Sequence, residues 1–127
     1  MTKPRAILTA LLLPLSLLVG AAACSRTGTG GAVRTDITAR MTSAQAPIQQ
    51  CYADTLQKHR KVRGMMIVNF RAAPSSGLFD QISIGRDETN DPALQQCVIA
   101  EVGKLKLETP QKTAVTIAYP INFQPTK

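Results

Sequence analysis

The stretch VTIAYPINF, residues 115–123, carries the most regular alternation in the chain. Val115, Ile117, Tyr119, Ile121 and Phe123 fall on one face, and Thr116, Ala118, Pro120, Asn122 and Gln124 on the other. A period of two marks a strand with one covered and one wet face. Pro120 has no amide proton to give to a ladder, so it places this strand at a sheet edge or at a bulge. An edge protected by little beyond one proline is open to backbone pairing with another extended segment. Val115, Ile117, Tyr119, Ile121 and Phe123 are therefore the expected partner-binding strand, with a second protein or a second copy of this chain as the occupant.

The elements upstream supply what that strand pairs with. Met66, Val68 and Phe70 alternate against Ile67, Asn69 and Arg71, and APSSG at 73–77 is a turn. A second run, Leu78 to Ile84, completes a hairpin in which Leu78, Ile82 and Ile84 share one face and Phe79, Gln81 and Ser83 the other. Asp91-Pro92 is a helix start, because the carboxylate accepts free amide protons and proline needs no donor at the first helical position. Leu94, Cys97, Val98, Val102 and Leu105 follow at helical spacing, with Glu101 at the edge of that face. Earlier, Ile37, Met41, Ala44, Ile48, Cys51 or Tyr52, and Leu56 describe another helical face. Pro47 either kinks this helix or opens a second one. The order helix, strand, strand, helix, strand predicts an α+β fold: a three-stranded antiparallel sheet with two helices packed on one face.

The chain has 127 residues with a formal charge of +7, one His and three Cys, which bounds it to a single small domain. Met1 to Arg5 is basic, Ile7 to Val19 is largely apolar, and Gly20 to Ala23 is a run of small residues before Cys24. This is the layout of a secretory signal, with an apolar core shorter than the ~20 residues of a bilayer span. The alternatives are a retained membrane helix and simple cleavage after Ala23. Small residues before a cysteine resemble the lipobox of bacterial lipoproteins, which implies that 1–23 is removed and Cys24 carries the lipid. Ser25 then resembles an outer-membrane sorting signal facing the periplasm; a soluble periplasmic or secreted protein is the alternative. Residues 24–35 read as the lipidated cysteine and a Gly-rich tether, and 36–127 as the folded domain.

Lipidation of Cys24 leaves Cys51 and Cys97 as the expected disulfide in an oxidising compartment, against the alternative of two buried thiols. No Cys-x-x-Cys or clustered His accompanies them, so neither catalysis nor metal is expected of the pair. Lys58, Arg60, Lys61 and Arg63 form a basic patch that is either a solvated helix end or a contact for anionic lipid or glycan. Nucleic acid is not expected as a partner outside the cytoplasm. His59 reads as a solvated residue within that run. Asp87, Glu88 and Asp91 read as a capped helix start, with a cation site as the alternative. No nucleophile and base, paired carboxylates or ligand set stands out, so no enzyme activity, cofactor or metal is expected.

Several of these residues together resemble a known family. They are Ile48-Gln-Gln-Cys51-Tyr52, Gly64 opening a strand, Ala73-Pro74-Ser75 with Gly77, Asp91-Pro92 with Cys97-Val98, and Tyr119-Pro120-x-x-Phe123. In this order they are similar to the AgmX/PglI C-terminal domain, a branch of the TonB C-terminal-like group, over residues 37–125. The resemblance implies a periplasmic domain of envelope machinery serving motility, transport or secretion. Family members often carry a transmembrane segment and a Pro-rich linker, which this sequence does not show. It also reads LKLETP at 105–110 where the family tends to have Trp-x-Phe-Pro. The resemblance therefore implies a stand-alone binding role: a lipid-anchored module that recruits or scaffolds an envelope complex by edge-strand pairing. The alternatives are a self-associating structural lipoprotein and a membrane-surface or glycan-binding domain.

Overall fold

Helices α1 (Gly31–Ser43) and α2 (Gln45–Lys58) precede strands β1 (Gly64–Ala72) and β2 (Phe79–Asp87), helix α3 (Pro92–Val102) and strand β3 (Val115–Phe123) in the computed structural model, which describes residues 30–126. The segment 1–23, Cys24 and the first part of the tether lie outside the described residues. The fold is α+β, with an antiparallel sheet in the order β2-β1-β3.

β1 is central because its side chains leave it no wet face toward the helices. Met66, Val68, Phe70 and Ala72 are all at most 1% exposed, and they meet Leu94, Val98 and Val102 from α3 and Ile37, Met41 and Ile48 from α1 and α2. Burying Met66, Val68 and Phe70 contributes about 1.5–3 kcal/mol each, an upper figure because the unfolded chain already hides some of this surface. Phe70 lies 4.6 Å from Phe79, ring centre to ring centre, and Tyr52 lies 5.1 Å from Phe123.

The described residues form three helices where the apolar spacing predicts two, and of the two readings of Pro47 the opening of a second helix is the one seen. Pro47 is the third residue of α2, and its missing amide is the one that would have reached the carbonyl of Ser43. The chain turns at Ala44, whose amide donates to the carbonyls of Arg40 and Met41. α1 also starts at Gly31, inside the stretch read as tether, and its Val33 packs against the core. Asp36 on α1 accepts the amides of Glu108 and Thr109, which fastens the helix to the connection that follows α3.

The face of β2 is reversed at its start. Phe79 is 3% exposed and Leu78 is 50% exposed, the opposite of the expected alternation. The pairing with β1 shifts twice, between Asn69 and Arg71 and between Met66 and Val68, and each time the extra residue is in β2. At the first shift Gln81 takes a left-handed conformation (φ 49°), so Phe79 and the later Ile82 and Ile84 reach the same side although their parity differs. A bulge of this kind leaves no trace in the spacing of apolar residues.

Candidate functional site: an open sheet edge

Which backbone groups of β3 are available follows from β1. Met65 on β1 accepts from the amide of Glu88, and the Ala73 amide donates to Leu78, so odd-numbered positions of β1 direct their backbone toward β2. Even-numbered positions therefore face β3. Nine pairs join β1 and β3 without a shift, from Gly64 with Phe123 to Ala72 with Val115. In an antiparallel pair the residues that exchange both hydrogen bonds lie opposite one another, so Val115, Ile117, Tyr119, Ile121 and Phe123 bond to β1. Thr116, Ala118, Pro120 and Asn122 turn their backbone groups outward. Pro120 is tolerated because its absent donor lies on the free side.

The two edges of the sheet differ. β2 is bulged twice, and the start of its outer edge is covered: Phe79 donates to the Leu105 carbonyl, Leu107 donates to Gly77, and Leu78 bridges Lys106. β3 is straight, carries no charged side chain, and among the described residues pairs with β1 alone. Charges, bulges and covers are the usual protections of an edge strand, and β3 has only Pro120.

The side chains expected to meet a partner divide into two groups. Val115, Ile117, Tyr119 and Ile121 are half-buried and lie toward the helices, whereas Phe123 is 0% exposed and belongs to the core. Beside Tyr119 and Ile121 runs a groove of about 240 Å³, floored by Met41 and Ile48 and rimmed by Thr42, Gln45, Gln49 and Asn122. Neither charge nor mobility marks those rim residues in the sequence; the turn at Ala44 brings them to β3.

Cys51 of α2 and Cys97 of α3 are bonded, with their Cα atoms 5.8 Å apart. Next to them Asp91 joins the end of α2 to the start of α3. One carboxylate oxygen accepts the Leu94 amide at 2.9 Å and caps α3, and the other lies 2.8 Å from Nδ1 of His59 at the end of α2. His59, expected to be merely solvated, is thus fixed. Asp91 is 4% exposed, and the His59 bond, followed by the Leu94 amide, holds its carboxyl below the usual range. The other acids near this helix start are also committed. Burial pushes the Asp87 carboxyl up, but hydrogen bonds from Thr89 and Gln95 outweigh it and leave it low. Glu88 accepts from the Met65 amide and from Arg86. Among the described residues no three His, Cys, Asp or Glu side chains are placed to share a metal ion.

Lys58, Arg60, Lys61 and Arg63 are all exposed at the turn between α2 and β1. No helix among the described residues is long and apolar enough to cross a membrane. No family model, curated protein or solved structure matches this chain.

Proposed function

We propose that this chain is an exported, lipid-anchored binding module of the cell envelope that takes up an extended segment of a partner protein along β3. The observation that carries this reading is the contrast between the two edges: one bulged and covered, the other straight, uncharged and unpaired among the described residues. An incoming strand would bond to the backbone of Thr116, Ala118 and Asn122 and to the carbonyl of Pro120. Its alternate side chains would enter the groove between Tyr119 and the α1–α2 turn. Binding is the role, not catalysis. The basic leader, the small residues before Cys24 and the disulfide support export to an oxidising compartment. The likeness to AgmX/PglI C-terminal domains supports a place in an envelope assembly for motility, transport or secretion.

The test is capture from solubilised envelope with the native chain and with Ala118→Pro, which removes one outward amide. A partner held by the native chain and lost from the folded variant supports the proposal. A concentration-dependent dimer in light scattering that the same variant dissociates replaces it with self-pairing.

A further inference from the structure

We infer that the turn between α2 and β1 is a second binding surface, for the phosphate groups of an anionic lipid bilayer. It is independent of the β3 edge. Residues 58–63 read KHRKVR, and in the fold the cations alternate with two fastened positions. His59 is held by Asp91 and by its own amide, which donates to Thr55. Val62 packs against the core, its carbonyl accepts the Tyr52 hydroxyl, and its amide donates to His59. The turn is therefore set before any ligand arrives, and Lys58, Arg60, Lys61 and Arg63 project from it.

Among the described residues none of these four side chains ion-pairs. The ion pairs present use Arg40, His59, Arg71, Arg86 and Lys104. Of the neighbouring carboxylates, Glu88 and Asp91 are engaged by Arg86, the Met65 amide, His59 and Leu94, and Asp54, one helical turn before Lys58, accepts from the Gln50 side-chain amide. Four like charges in six residues repel one another unless an external anion compensates them. Arg60, Lys61 and Arg63 border an open basin of about 440 Å³ whose wall also holds His59, Val62, Thr89 and Glu88, the last with its carboxylate turned to Arg86 and the Met65 amide. A basin this open cannot strip water from a single small anion. It suits an array of phosphates met at once, where each Lys or Arg strengthens adsorption by about fivefold.

The test measures sedimentation of the full chain with vesicles of equal parts phosphatidylglycerol and phosphatidylcholine, and with phosphatidylcholine alone. The apolar leader contributes to both, so the difference between the two vesicle types reads the basic turn. Binding to the anionic vesicles is expected to be stronger and to fall steeply with salt. Replacing Lys58, Arg60, Lys61 and Arg63 by Gln should remove about three orders of magnitude of that preference. The control replaces Arg34, Lys104, Lys106 and Lys112 by Gln, giving the same net charge, and should keep most of it. Equal losses in the two variants would show that net charge alone acts and overturn the proposal. Saturable displacement by millimolar inorganic phosphate would also overturn it, in favour of a small-anion site.

Discussion

The outward direction of the Thr116, Ala118, Pro120 and Asn122 backbones can be tested with two neighbouring proline substitutions. Ile117 donates toward Phe70, which is 1% exposed. Ile117→Pro removes that donor and strands a buried carbonyl, at about 1–3 kcal/mol. It also removes much of a half-buried side chain, worth about another 1–2 kcal/mol. The expected loss is about 2–5 kcal/mol. Ala118 is exposed, and its amide points away from β1, so Ala118→Pro breaks no bond within the fold and should cost less than about 1 kcal/mol. Urea unfolding with the disulfide intact reads both. For a domain with a slope near ~1.5 kcal/mol/M the midpoint should fall by about 1–3 M for Ile117→Pro and by well under 1 M for Ala118→Pro. Equal losses would refute the assigned difference between the two positions, and a larger loss at Ala118 would mean that the backbone directions are inverted. In the second case the edge would offer the odd-numbered positions instead.

Three further outcomes are expected. The Cys51→Ala/Cys97→Ala variant loses the closure of a loop with a separation of 46 residues; this is worth about 2–4 kcal/mol, so its Tm in calorimetry should fall by about 10–30 °C. Asp91, Asp87 and Asp80 all have carboxyls held low in the fold, the last by its hydrogen bonds with Arg71. Their contribution is complete above the unfolded carboxyl value of about 4 and is lost as pH falls through the folded values, so stability should decline on acidification. Asp91→Asn should flatten that decline, and an unchanged pH profile would count against the pairing with His59. Gly64 has φ 128°, and an added Cβ would meet the Glu88 Cβ at 2.6 Å. Gly64→Ala should therefore cost about 1–3 kcal/mol in thermal unfolding, and a neutral result would show that the turn into β1 relaxes.

The α+β class, the hairpin, the α3 cap and the disulfide were legible because each rests on a local rule. Alternation gives β3, Asp91-Pro92 gives the start of α3, and two cysteines on buried helical faces give the crosslink. What escaped needs distant neighbours. The left-handed Gln81 reverses Phe79 and Leu78 without altering composition, and α1 reaches back to Gly31 although Gly30, its cap, offers no side chain. β3 was legible as an edge strand, but the residues named for it, Val115 to Phe123 by odd number, are those whose backbone bonds to β1. The available groups are backbone atoms of the other parity, and the clue was Pro120, whose position already says which way the strand turns. Thr42, Gln45 and Gln49 join the site only because the chain bends at Ala44.

The shut edge at β2 also limits how large any assembly can grow. A sheet open on both sides can add copies without end, and such growth produces fibres. Here Leu105 to Leu107 and the two bulges protect the other side, so under the proposed pairing growth through β3 would end after a single addition. Two copies, or one copy and one foreign strand, would then complete the sheet. A crowded array of such modules would therefore remain a collection of discrete pairs, and only losing both the Leu105 to Leu107 cover and the bulges of β2 would turn this terminator into a link.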